Sequence, residues 1–563
     1  MDKPILILSA LPYVNNVPHL GNVIGSTLSG DVLSRYYKMI GRKVLYLCGT
    51  DEYGTCTVVK SVEEKISCRD LCDKYHKIHK ECYEWFNIKF DVFGRTTTDT
   101  QTELTHEIFL ELYKNKHIEE KEIDELKCNT CNLVLADRYI KGLCYNSKCS
   151  KDNIIANGDQ CDNCGDLMDV SKFTKYWCSV CNSIPEKIRT KHLFLKLKDF
   201  EKKIYDYFID QKSDNKVKIN NLAKSLTKGF LKKGLESRCI TRTLSWGTPV
   251  PQSKEYPELA EYKDKVFYVW FDAPIGYYSI LKRARPDDWK EWLSGEIINV
   301  HAKDNVIFHT VMFPATLMGS SLKYPLPTSI AATNFLQFEN KKFSKSKSIG
   351  IFVDDAIKIS EKYNITEDYW RFYLLKIRPE TSDSSFNMKD FRIVIKSELI
   401  ANIGNFINRC MSLSCKYYKK ENNKVNFTYN FEDNKDTFQE IESIITDYHK
   451  YFNEYSLNNI LALIIRIAKL GNQFVQHKDV YKLCKNEPQK YKNLLGCSNF
   501  IVCLLIKLFY PVMPSKSEEL CNNFVCDINL LDIKPSGNLY ISDNNYKLPF
   551  NNFNYQDEIL QKY

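Results

Sequence analysis

The chain has 563 residues, 44% of them apolar and 26% charged, and a net charge of +9. This is material for roughly three or four domains of about 150 residues, and it excludes a disordered or collagen-like chain. The modest positive charge permits a polyanionic partner without demanding one. Pro4–Ala10, "PILILSA", is an apolar run of the kind that forms a strand of a parallel sheet. The segment "HLGNVIGSTLSGDVLSRYYKM" from His19 carries a helical period, and "KVLYLC" is a second strand that ends in the polar loop "GTDEYGT". Strand, helix and strand within about 50 residues make a βαβ unit, whose ligands belong at the carboxyl ends of the strands. His19 and Asp51 both fall on that edge. The helix mouth at "HLGN" presents unpaired N–H groups and a positive dipole, so its natural guest is a phosphate.

From Lys127 to Ser183 the texture changes to Cys, Asn, Asp and Gly with little periodicity, as expected of an inserted module. "VFYVWFDAPIGYYS" from Val266 and "VIFHTVMFPATL" from Val306 restore the strand-and-helix pattern, so the interrupted sheet resumes there. After about Trp370 nearly every segment reads as amphipathic helix, such as "SELIANIGNFINRCMSLSC" and "NNILALIIRIAKLGNQFV", and predicts a closing bundle. The most apolar later run, "FIVCLLIKLFYPVM", contains Lys507 and Pro511 and falls short of about 18 uninterrupted apolar residues, which predicts a buried helix. No internal repeat is visible.

The 21 cysteines and the absence of a signal peptide at the N-terminus predict a reducing, cytoplasmic setting, where thiols stay free or hold metal. Eight of them form four close pairs: Cys128/Cys131, Cys144/Cys149, Cys161/Cys164 and Cys178/Cys181. Such a set fits two tetrahedral four-cysteine zinc sites, which are structural because four thiolates leave no open position for water. Spacing alone leaves the pairing sequential or nested. Four residues separate Cys144 from Cys149 where two are usual, so the number of zinc ions is expected to be one or two. More than 300 residues after "HLGN", "KKFSKSKSIGIF" from Lys341 offers ammonium groups, hydroxyls and backbone amides that can wrap phosphate.

These two signatures, His19-Leu-Gly-Asn22 and Lys342-Phe-Ser-Lys345-Ser346, resemble those of class I aminoacyl-tRNA synthetases. With "ALPYVNNVPHLGN", "LYLCGTDEYGT", "YVWFDAPIGYYS", "AKDNVIFH" and "NKKFSKSKSIGIF" in order, the chain resembles the methionyl-tRNA synthetases of the eukaryotic and archaeal kind over nearly its whole length. The resemblance implies activation of L-methionine by ATP with Mg2+, releasing pyrophosphate, and transfer of methionyl to tRNA(Met), initiator and elongator, by a monomer with no membrane association. It implies that His19, Asn22, Lys342 and Lys345 are catalytic and that Gly21, Asp304 and Ser344 also contact ATP. In-line attack on the α-phosphate needs no protein nucleophile, only positioning and charge neutralisation.

By the same resemblance Asp51 and the backbone of Leu11 hold the methionine ammonium. Tyr13, Trp270, Ala273, Pro274, Tyr277 and His309 line the side-chain pocket, with Tyr13 and His309 offering polar hydrogens to sulfur. The nested cysteine pairing is implied, with Cys144, Cys149, Cys161 and Cys164 inside and Cys128, Cys131, Cys178 and Cys181 outside. Asn405 and Arg409, four apart on one helix face, and Tyr481 would meet the anticodon.

The fold expected is α/β: a Rossmann-like catalytic domain in two halves (1–116 and 226–330), split by a connective zinc-knuckle insertion (117–225). A Lys-Phe-Ser-Lys-Ser loop and stem-contact region (331–372) and an all-α anticodon-binding bundle (373–563) follow. Two other readings compete. Another class I synthetase, such as the leucine, isoleucine or valine enzymes, would carry a large editing insertion where the insert here is short and zinc-knuckled, and a catalytically degenerate tRNA-binding scaffold would be expected to lack His19, Asp51 or Lys345.

Overall fold

The computed structural model describes residues 3–131, 133–135, 139–147, 149, 153–158, 161, 168, 170–210, 217–343, 349–477, 480–524, 536–542 and 550. Six strands form one parallel sheet: Ile5–Ser9 (β1), Val44–Thr50 (β2), Val92–Arg95 (β3), Lys218–Ile219 (β4), Glu296–Ala302 (β5) and Ser329–Thr333 (β6). Their spatial order is β4-β6-β5-β1-β2-β3. All five residues of β1 are buried, as a strand with both faces covered requires. Its side chains divide cleanly, Ile5 and Ile7 entering one core and Leu6 and Leu8 another. From β1 the order runs one way through β2 to β3 and the other way through β5 and β6 to β4. The crevice outside the carboxyl ends of β1 and β5 is therefore the switch point where an open α/β sheet takes its ligands. β4 comes from within 117–225, so that stretch contributes an edge strand to the sheet as well as an inserted module.

Between β1 and β2 a helical run spans residues 20–39, with a π-helical turn at Val23–Thr27. The insertion leaves and returns through an antiparallel ribbon. Ile118–Cys128 pairs with Glu186–Leu195 in register from Ile118↔Leu195 to Lys127↔Glu186.

The C-terminal region is built on the helices Lys435–Asn453, Leu457–His477 and Pro488–Phe509. Among the described residues it departs from the all-α expectation in two elements, the strand Ser384–Phe386, which pairs parallel with Leu336–Phe338, and a small antiparallel sheet of Lys420–Glu421, Lys424–Asn430 and Ser536–Ser542. The segment "KVNFTYN" buries Val425, Phe427 and Tyr429 alternately, which is a strand period and not a helical one. Pro488–Phe509 is long and apolar enough to cross a membrane, yet 83% of its most apolar window is buried inside the molecule, so it is the bundle's core helix.

A buried ionic knot joins the helical region to the sheet. Arg371, fully buried, donates to the Asp31 carboxylate at 2.8 Å, to the carbonyls of Val512 at 2.9 Å and Pro511 at 3.0 Å, and to that of Phe86 at 3.1 Å. Arg35 meets the same carboxylate at 2.8 Å. Although burial opposes it, the two guanidinium groups hold the Asp31 carboxyl below the usual carboxylate range.

Candidate active site and cysteine clusters

The two signatures, far apart in sequence, are joined by backbone. The Leu20 N–H donates to the Ile351 carbonyl at 3.3 Å and the Val353 N–H to that of Pro18 at 2.9 Å, while His19 and Phe352 form an antiparallel bridge. His19 caps the helix. Its Nδ1 accepts the Asn22 N–H at 3.2 Å, and the Asn22 side-chain oxygen accepts the His19 N–H at 3.1 Å. Burial lowers the His19 imidazole to about 4, so at neutral pH it is uncharged. With Nδ1 accepting, its proton sits on Nε2, leaving one donor to offer. His19 and Asn22 thus cap one another reciprocally, the Asn22 side-chain oxygen being engaged in the cap. A Cβ at Gly21 would stand 3.0 Å from the His19 ring, so the glycine makes room for the imidazole, beyond any room it makes for a ligand.

Lys342 is exposed beside Phe343; Ser344 and Lys345 lie outside the described residues. Asp304 sits exposed in the turn Lys303–Asn305, immediately beyond β5.

Seven of the eight residues expected around methionine line one cavity: Leu11, Asp51, Trp270, Ala273, Pro274, Tyr277 and His309. Ala10 and Asn305 complete it around about 260 Å³ of empty space, part of it open to solvent. Tyr13 stands outside that lining, meeting Trp270 edge-on at 6.1 Å and 89° and bridging to Asp51 through backbone. Asp51 is 3% exposed and one of its carboxylate oxygens has no hydrogen-bond partner. Burial, with the nearby charge of Asp272, pushes this carboxyl well above the usual range. A buried carboxylate in that condition gains most from a cationic guest.

Its loop is clamped on both sides. The Asp51 N–H donates to the Pro12 carbonyl at 2.9 Å. The adjoining Glu52, fully buried, takes the Arg95 Nε at 3.0 and 2.9 Å and the Thr50 hydroxyl at 2.9 Å.

One expectation is overturned by the hydrogen bonding. Burial holds His309 down to about 4, hence neutral. Its Nδ1 lies 2.9 Å from the Asn305 carbonyl, which can only accept, so Nδ1 carries the proton and Nε2 accepts the Tyr277 hydroxyl at 2.9 Å. His309 therefore has no hydrogen left for a sulfur; it holds the Tyr277 hydroxyl instead.

Sequence reasoning missed Ala10 and Asn305, although both follow strand ends at the switch point. It also missed Phe308, stacked on Trp270 at 3.8 Å and 10°, and His301, stacked on His309 at 4.4 Å. Position at a strand end was the signal for the first two; the stacks left none in one dimension.

Cys128, Cys131, Cys178 and Cys181 bring their sulfurs together, as do Cys144, Cys149 and Cys161; Cys164 lies outside the described residues. This is the nested arrangement. Sulfurs are 3.4 Å apart for Cys128/Cys181 and 3.9 Å for Cys131/Cys178 and for Cys149/Cys161. A tetrahedron with zinc–sulfur bonds of about 2.3 Å has edges of about 3.8 Å, so the thiols fit zinc in size as well as in chemistry. In the helical region, Asn405 is exposed and Arg409 half-buried in the helix Asn405–Tyr417. Tyr481 belongs to the helix Val480–Asn486.

The family model for tRNA synthetases class I (M) matches residues 5–411. A methionine–tRNA ligase of Acanthamoeba polyphaga mimivirus is 43% identical over 98% of this chain and 97% of its own length. Cytoplasmic methionine–tRNA ligases of Caenorhabditis elegans and Homo sapiens are 42% and 40% identical over 92% of this chain, which spans 55% and 56% of their lengths. A Mycobacterium tuberculosis methionyl-tRNA synthetase solved with methionyl-adenylate shares the fold, with a TM-score of 0.73 at 20% identity over 92% of this chain and 94% of that one. On the span of the family match and on relatives of this identity along nearly its whole length, the chain belongs to the class I tRNA synthetases of the methionine type.

Proposed function

We propose that the chain activates L-methionine with ATP, forming methionyl-adenylate and pyrophosphate, and transfers the methionyl group to tRNA(Met). The observation that carries this reading is the cavity at the sheet's switch point, where a buried carboxylate with one unpartnered oxygen, Asp51, faces aromatic walls. The ammonium is held by Asp51 and the backbone of Leu11. The polarizable thioether lies among Trp270, Tyr277, Ala273 and Pro274, with His309 fixing the Tyr277 hydroxyl.

The methionine carboxylate then attacks the α-phosphorus in line, one P–O bond forming as the bond to pyrophosphate breaks. The His19 Nε2–H donates to phosphate oxygen. Lys342 and Lys345 neutralise the leaving pyrophosphate, Gly21 and Ser344 offer backbone and hydroxyl contacts, and Asp304 takes the ribose hydroxyls. Mg2+ accompanies the ATP. Zinc in the cysteine clusters is structural. Asn405, Arg409 and Tyr481 read the anticodon, and the enzyme acts as a cytoplasmic monomer, the setting supported by its cytoplasmic relatives. The domain plan 1–116, 117–225, 226–330, 331–372 and 373–563 belongs to the same proposal.

ATP–pyrophosphate exchange measured with each of the twenty amino acids tests the reading. Methionine alone should stimulate exchange; stimulation by leucine or valine without methionine would refute it.

A further inference from the structure

Phe343, the second residue of the Lys342-Phe-Ser-Lys345 signature, lies flat on the His19 imidazole, ring centroids 4.4 Å apart and planes within 3°. Two other contacts fix it there. Phe338 meets it at 6.2 Å, and Gly350, at φ +109°, closes beneath it. A Cβ at Gly350 would stand 2.2 Å from the Phe343 ring, so the glycine supplies both a backbone turn forbidden to other residues and the space the ring fills. Phe352 also meets the imidazole edge-on, at 6.0 Å. The imidazole's in-plane position is set by the Asn22 N–H at its Nδ1, but a single hydrogen bond leaves the ring free to rotate about that axis. The stack removes this freedom.

We infer that Phe343 is a positioning residue for the activation step: seated against Gly350, it fixes the plane of the His19 ring and so the direction of its one available donor, Nε2–H. The inference rests on the reading that His19 serves the phosphates of ATP. It also gives the Phe at this place in the signature a task of its own, separate from the charge-neutralising work of the lysines. An aromatic ring can stack on an imidazole, and a flexible aliphatic side chain of similar volume cannot hold its plane in the same way.

The test uses the full chain in ATP–pyrophosphate exchange, with thermal unfolding of every variant as the control for folding. Phe343→Ala should lower kcat about tenfold to a hundredfold, the scale on which a small misplacement of a catalytic group acts, with the KM for methionine within about twofold of wild type. Phe343→Tyr, which keeps the stack, should stay within about threefold in kcat, and Phe343→Leu should resemble Phe343→Ala.

The discriminating measurement is the double variant. If Phe343 acts through His19, Phe343→Ala should cost nothing further in a His19→Gln background, because coupled residues lose the same interaction once. Full multiplication of the two losses, or a methionine KM that rises with the kcat loss, would overturn the inference and leave Phe343 as packing. A damaging His19→Gln beside a harmless Phe343→Ala would overturn it while sparing the reading of His19. A harmless His19→Gln would overturn both.

Discussion

Replacing Asp51 by asparagine tests the substrate site, because the change keeps shape and removes only charge. In the free protein the carboxyl is buried, one oxygen is unpartnered, and its acidity is held well above the usual range. The folded form therefore binds a proton where the unfolded chain does not. The stability this gives is fullest at acidic pH and is lost as pH rises from about 4 through the raised value, about 1.4 kcal/mol for each tenfold displacement of acidity. Asp51→Asn should consequently raise Tm at pH 7.5 in the absence of ligand.

Binding should suffer in the opposite sense. Removing one partner of a buried pair costs about 3–5 kcal/mol, or roughly 100- to 5,000-fold in the KM for methionine. The lower end is expected, because the wild type must first ionise Asp51. For the same reason wild-type methionine affinity should improve with pH, by up to about tenfold per pH unit below the carboxyl's raised value, and the variant's should not. Pyrophosphate exchange at saturating ATP from pH 6 to 9 measures this. A variant KM within threefold of wild type throughout would refute the assignment of Asp51 to the ammonium.

Elemental analysis of the reduced, purified chain should find about two zinc ions, and about one in Cys178→Ser; no zinc in the wild-type chain would refute both sites. Arg409→Ala should leave pyrophosphate exchange intact while lowering aminoacylation by about 1–3 kcal/mol of lost base contact. Equal sensitivity of variant and wild type to a changed anticodon would count against it. Arg371→Met leaves Arg35 as the only guanidinium on the buried Asp31 carboxylate and removes the Arg371 donors from three interior carbonyls, and should cost up to about 3–5 kcal/mol of stability; an unfolding midpoint in urea unchanged from wild type would contradict the knot's importance.

The parallel sheet was legible because its strands are short, continuous apolar runs such as "ILILS", bounded by polar loops whose position at strand ends is itself informative. His19 and Asp51 were placed on the sheet's functional edge by that argument alone, before any family pattern was considered. What stayed hidden depends on three dimensions. The one ring N–H of His309 goes to the Asn305 carbonyl, four residues earlier, and its other nitrogen accepts the hydroxyl of Tyr277 from another helix. No spacing rule reveals a hydrogen bond that leaves a side chain with nothing to give. The nesting of the cysteines was likewise open in the sequence, because pair spacing says nothing of which pairs meet. The strand "KVNFTYN" was readable by its alternation and was lost among helical neighbours of greater length.

The ribbon that carries the insertion bears on how this fold tolerates change. Its two strands keep Ile118 opposite Leu195, so the chain leaves the catalytic sheet and re-enters it at nearly one point. To the sheet, everything between is a single hairpin loop whose ends are already joined. Doubling the length of a flexible loop adds only about 0.6 kcal/mol of closure entropy, and even that cost falls on the ribbon. Length can therefore change beyond the ribbon's tip at little entropic cost, except where the module leans on the catalytic domain: Val58, in the helix that follows Asp51, shares a hydrophobic cluster with Leu126, Tyr139 and Cys178 of the insertion. Only the parts of the module turned away from that contact are free to evolve on a different clock from the chemistry they accompany.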